Sequence, residues 1–129
     1  MNKEFIPYEQ ALELKELGFE EPCFGVYVEN ELFIVSTERP SIQSHSLYQG
    51  LAPLYQQAFR WFREKNKLHV VVDINISDEW YFSIFNLNAK RNAEVEVLTK
   101  DEYYNTYEEV ELTCLKELIK IVKNKQLLI

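Results

Sequence analysis

The chain of 129 residues is 47% hydrophobic and carries 21 acidic against 14 basic side chains, a net charge of −7. That length and apolar content suit one domain around one core, and the acidity opposes nonspecific attraction to a phosphate backbone, so nucleic acid is an unlikely partner. No basic leader with a cleavage site opens the chain and no apolar run is long enough to cross a bilayer, so a cytoplasmic protein with no membrane segment is expected.

The first helix is punctuated at both ends. Pro7 suits a first-turn position, Tyr8, Ala11, Leu12, Leu14 and Leu17 supply the apolar side, and Glu9, Glu13, Lys15 and Glu16 face water. Gly18 stops the helix in a left-handed conformation, which would set Phe19 against Leu14. Cys23 follows, in an apolar context that reads as a buried thiol, as does that of Cys114. A disulfide framework is not expected from two such distant cysteines.

From Phe24 the apolar period switches to two, with Val26 and Val28 opposite Tyr27, and it returns in Leu32-Phe33-Ile34-Val35 after Asn30 and Glu31. Asn30 accepts positive φ readily, so the pattern predicts a hairpin with a tight two-residue connection. Residues 37–50 have no period and are rich in Ser, Gln, Pro and Gly, which reads as a long loop whose Ile42, Leu47 and Tyr48 cover the core.

Residues 51–65 are the most unusual segment, four aromatics and three basic side chains in one short helix. Leu54, Tyr55, Ala58, Phe59, Trp61 and Phe62 share a broad apolar side, and Gln56, Arg60, Arg63 and Lys67 form a stripe opposite. A strand follows over 68–76, with Val70, Val72, Ile74 and Ile76 on one side and His69, Val71, Asp73 and Asn75 on the other. Ser77 and Asp78 turn the chain, and residues 79–87 return with Trp80, Phe82 and Ile84 opposite Tyr81, Ser83 and Phe85. Asn86 to Asn92 reads as a polar loop and Glu94 to Leu98 as a short charged edge strand. The last helix opens with Thr106 and Glu109 as a capping box, has acids near its start and lysines toward its end, and runs Val110, Cys114, Leu118 and Ile121 down one stripe with Leu115, Ile119 and Val122 beside it.

The fold class expected is α+β: an antiparallel sheet of four to five strands, built from two hairpins, packed against three helices in the order α-β-β-α-β-β-(β)-α.

Three blocks carry a resemblance across the whole chain. They are Glu4 to Phe19 with Glu21 to Gly25, then Leu54 to Lys65, then Thr106 to Ile119. Together these are similar to a family of small uncharacterised proteins carried by phages and prophages of gut bacteria. The resemblance implies a phage-type accessory protein made in a bacterial cytoplasm, and it brings no catalytic residues to carry over.

Reactive chemistry finds little support in the residues. Cys23 with His45 or His69 and Asp73 contains the residue types of a thiol nucleophile, a base and an orienting acid, at a nonspecific spacing. Two His and two Cys fit no structural zinc spacing, the acids define no hard-cation site, and Gly18, Gly25 and Gly50 form no phosphate cradle, so neither a metal nor a cofactor is assigned. No catalytic residue is assigned either. The favoured function is a non-enzymatic module that binds a host or phage protein, with a homodimer left open. Its candidate binding residues are Gln56, Arg60, Arg63, Lys67, Tyr48, Trp80 and Tyr81, of which Tyr, Trp and Arg are the types enriched at binding hot spots. Two alternatives stand beside it: an acidic, nucleic-acid-mimicking inhibitor of a host defence nuclease, and a small enzyme using Cys23.

Overall fold

The computed structural model describes residues 2–34, 50–91, 94–97 and 102–127. Its elements are α1 (Tyr8–Glu16), β1 (Gly25–Val28), β2 (Glu31–Ile34), β3 (Gly50–Ala52), α2 (Tyr55–Asn66), β4 (Leu68–Ile74), β5 (Trp80–Arg91), β6 (Glu94–Val97) and α3 (Tyr107–Leu127). The class is α+β, with three helices in the expected order and antiparallel pairing throughout. The strands form two sheets, ordered β2-β1-β3 and β4-β5-β6. The chain falls into two compact units, Met1–Ala58 and Phe59–Ile129, with the division inside α2.

In the first unit α1 ends as its glycine requires. Gly18 sits at φ +98°, its N–H donates to the Lys15 carbonyl at 3.1 Å, and the Phe19 N–H reaches back to the Leu14 carbonyl at 3.0 Å. This pair of bonds is the Schellman ending, and Phe19 and Leu14 are both buried. Pro7 is the residue before the first helical turn rather than within it, and its carbonyl accepts from Ala11 at 2.9 Å.

The connection of the first hairpin is Glu29-Asn30, one residue earlier than the apolar pattern placed it, because Val28 pairs with Glu31. Both connecting residues have positive φ, 52° and 69°, as a type I′ turn demands. β1 lies between β2 and β3, so both of its edges are paired, and Val26 and Tyr27, which point to opposite faces, are each buried. Tyr27 donates its hydroxyl to the Ile6 carbonyl at 2.7 Å, with its ring edge-on to Tyr8.

Residues 51–54 are not helical, contrary to the sequence reading. Leu51 and Ala52 belong to β3, and Leu54 bridges to Phe5. Pro53 is the reason: it biases the preceding residue toward extended backbone and offers no N–H to a helix. Its carbonyl instead accepts from the Ile6 N–H at 3.0 Å, tying the chain's opening segment beside β3. The loop read over 37–50 lies outside the described residues except for Gly50, which begins β3.

In the second unit β4 and β5 pair from Leu68↔Asn86 to Ile74↔Trp80. Their turn spans Asn75 to Glu79. The Asn75 side-chain oxygen accepts from the N–H groups of Ser77 and Glu79 at 2.9 and 3.0 Å, and Asp78 takes positive φ at 59°. Ile76 therefore sits at the turn and is fully exposed, not in the strand stripe where alternation placed it. β5 also continues through the stretch read as a polar loop after Asn86. Its pairing with β6 at Phe85 and Asn86 resumes at Arg91 after a register shift, which keeps this stretch in the strand in spite of its polarity.

α3 packs on β5 and β4. Its buried stripe is Val110, Cys114, Leu115, Leu118, Ile119 and Val122, and Thr106 caps it by accepting from the Glu109 N–H at 3.1 Å. The edge of β5 facing away from β4 receives Tyr104, whose N–H and carbonyl both bond Trp80, at 2.7 and 2.8 Å.

Candidate functional site

α2 divides as its periodicity predicts. Tyr55, Ala58, Phe59, Trp61 and Phe62 are buried, while Gln56, Arg60, Arg63 and Lys65 are exposed. Removing that apolar side from water stabilises the helix far more than its own propensity does. Lys67 is exposed but lies just past the helix end at φ 57°, and its carbonyl accepts from the Leu87 N–H at 2.8 Å. Its backbone thus starts the β4-β5 ladder, and the stripe on the helix proper is Gln56, Arg60 and Arg63. The intervening Glu64 is also exposed, which weakens that stripe as an anion site.

Trp80 and Tyr81, adjacent in β5, point to opposite faces of the second sheet. Trp80 is half-buried with its ring edge-on to Tyr107, the first residue of α3, at a centroid separation of 5.2 Å. Tyr81 is half-buried on the other face, edge-on to Tyr103 at 5.9 Å. They do not make one site. Tyr48 lies outside the described residues.

The face that carries Tyr81 is the more informative surface. Register and alternation place His69, Val71, Asp73, Tyr81, Ser83, Phe85 and Leu87 on it. Val71, Leu87 and Tyr103 are 40%, 45% and 55% exposed, and His69 lies beside Phe85 at a centroid separation of 6.4 Å. Asp73 is the one formal charge among these strand residues, in a chain 27% charged. Sequence reasoning found Tyr81 but missed Val71, Phe85, Leu87 and Tyr103. The alternation of β4 and β5 contained the first three, whereas Tyr103 is brought there by its neighbour Tyr104 bonding to Trp80.

The thiols are sequestered. Cys23 has no exposed surface, and its Sγ donates to the Glu21 carbonyl at 3.2 Å. Cys114 is equally buried, and burial, aided by Glu117 and Glu111, pushes its thiol well above the ordinary range. A thiol held neutral and away from water is a poor nucleophile. Burial also raises the Tyr27 phenol, and burial together with the bond from its hydroxyl to Glu102 raises that of Tyr104. His45 lies outside the described residues, and among the described residues no group of three or more His, Cys, Asp or Glu side chains is placed to hold a metal ion. No helix among them is long and apolar enough to cross a membrane.

Comparison with protein-family models, with curated proteins and with solved structures finds no match to this chain.

Proposed function

We propose that this chain is a phage- or prophage-type accessory protein of the bacterial cytoplasm that acts by binding another protein rather than by catalysis. What carries the reading is the open face of the second sheet, where Val71, Leu87 and Tyr103 are exposed around the half-buried Tyr81 and Phe85. Depletion of charge together with tyrosine and phenylalanine is the composition of the centre of a protein interface. The exposed arginines of α2, Arg60 and Arg63, offer a second and separate contact.

The test uses the full chain as bait for partners from a bacterial host, in three forms: wild type, Tyr81→Asp with Tyr103→Asp, and Arg60→Glu with Arg63→Glu. The partner of the wild type is expected to bind the tyrosine variant at least about tenfold more weakly, the loss of a hot-spot aromatic. A partner held equally by the tyrosine variant, with its circular dichroism unchanged, would refute the sheet-face reading.

A further inference from the structure

Among the described residues, no strand pairs with the outer edge of β4. The Asn75 N–H donates to the Glu79 carbonyl at 2.9 Å and the Leu87 N–H donates to the Lys67 carbonyl at 2.8 Å. With the register of the pair, these two bonds fix the alternation: odd-numbered residues of β4 bond toward β5, and even-numbered ones turn their N–H and carbonyl groups away from it; of these Leu68 is buried, Val70 and Val72 are half-buried and Ile74 is exposed. Ile74 has its N–H taken by the Asp73 carboxylate at 2.8 Å. No described residue bonds to the outward groups of Val70 and Val72.

Strand edges are commonly blunted by lysine, proline, a bulge or shortness. β6 is only four residues long, and the register shift lies between it and β5. β4 has no lysine, proline or bulge over its seven residues, Leu-His-Val-Val-Val-Asp-Ile, which are mostly β-branched; its one charge is Asp73, and Leu68 at its start is buried.

We propose that β4 pairs antiparallel with β4 of a second copy of this chain about a two-fold axis at Val71, joining two three-stranded sheets into one of six strands. This register is selected by three features on the same strand. First, it sets Val70 against Val72 of the partner copy on both sides of the axis, so their outward N–H and carbonyl groups face one another as hydrogen-bonded pairs, while Leu68, which is buried, adds no bond at the strand's start. Second, it sets His69 opposite Asp73 in a non-hydrogen-bonded pair, where side chains come closest, and symmetry repeats the pair on the other side of the axis. The imidazole N–H can donate to the carboxylate in either charge state. Third, the exposed charges run from basic to acidic along the hairpin, Lys65 and Lys67 before β4 and Asp73, Asp78 and Glu79 at its far end. An antiparallel copy brings opposite signs together, whereas a parallel one would oppose like charges. A slip by one residue would turn apolar positions to the wrong face, and slips by two shorten the overlap and separate His69 from Asp73.

This pairing uses the edge of the sheet and not its open face, so it stands or falls independently of the protein-binding reading. Sedimentation velocity on the full chain should show a dimer. His69→Asp, which opposes two carboxylates twice, should raise the dimer dissociation constant at least about tenfold, the size of a close like-charge penalty. The double variant His69→Asp with Asp73→His restores each pair across the axis and should recover the wild-type constant to within about threefold, a margin of ~0.7 kcal/mol. Val71→Cys should form an intermolecular disulfide on oxidation, since directly opposed non-hydrogen-bonded strand positions lie within disulfide reach, while the native Cys23 and Cys114 are buried. A wild-type monomer at about 100 μM, where even a weak complex is populated, would overturn the proposal. So would a dimer indifferent to His69→Asp in a folded protein, or a dimer that Val71→Cys does not cross-link.

Discussion

The three glycines make opposite predictions for the same substitution, because each is required for a different reason or for none. A methyl group built on Gly25 would lie 2.9 Å from Phe5 Cε1 and 3.0 Å from both Phe5 Cδ1 and Leu32 Cδ1. Leu32 is half-buried and can give way, but Phe5 is buried and bridged to Leu54, so its ring has little room to retreat. Overpacking of this kind costs about 1–3 kcal/mol, and the gain from stiffening the unfolded chain returns about 0.4–1 kcal/mol. Gly25→Ala should therefore lose about 1–2 kcal/mol, roughly 3–8 °C in Tm for a chain of this size. Gly18→Ala meets no atom within 4 Å, yet its φ of +98° strains any side chain, so it should lose about 1 kcal/mol by a purely backbone route. At Gly50 the nearest atoms are at 3.8–3.9 Å, an ordinary contact, and Ala should be neutral or stabilising by up to about 1 kcal/mol. Urea denaturation, comparing midpoints at constant slope, ranks the three. Adding Phe5→Leu separates the causes: it should recover about 1 kcal/mol of the Gly25→Ala loss relative to additivity and none of the Gly18→Ala loss. A Gly25→Ala protein as stable as wild type, or strict additivity with Phe5→Leu, would refute the packing argument.

Tyr27→Phe should cost about 1–3 kcal/mol in the same assay, because it leaves the buried Ile6 carbonyl without its hydroxyl donor. Tyr27, Tyr104 and Cys114 all have folded pKa values raised by burial above ordinary values of 10.0, 10.0 and 9.0. Their contribution is thus complete below those values and is lost as pH rises, when the unfolded chain releases protons that the folded one retains. Stability should be insensitive to these groups at pH 7 to 8 and fall from about pH 9 upward, and Tyr27→Phe should flatten the part of the fall that begins near pH 10; an unchanged profile would count against the assignment. Replacing Glu29-Asn30 by Asn-Gly gives a type I′ turn its preferred residues and should stabilise by about 0.5–1 kcal/mol, read as a higher denaturation midpoint.

The elements legible in the sequence are those whose pattern and punctuation agree. α1 has an apolar period closed by Gly18 and Phe19, and α3 has a capping residue, an acid-to-base gradient and an apolar stripe. The basic side of α2 was legible too, since Gln56, Arg60 and Arg63 follow the helical period away from Phe59 and Phe62. Less legible were the places where pairing overrides local character. Polar residues after Asn86 continue β5 as its pairing with β6 resumes at Arg91, and Leu51 and Ala52 join a strand because β1 offers them an edge. Ile76 reads as strand by alternation but is displaced by the Asn75 side chain, which folds the chain into a turn just before it.

The sequence by itself determined the α+β class, the order of the helices, the left-handed stop at Gly18 and the cores of both hairpins, because each depends on neighbours within a turn or a strand. Only the tertiary structure settles that the strands divide into two sheets, that Tyr103 joins Tyr81 and Val71 on one face, and that no described strand pairs with the outer edge of β4. Those outcomes depend on which distant backbone groups satisfy one another. Hydrogen-bond complementarity between strands is not written in the period of either strand alone.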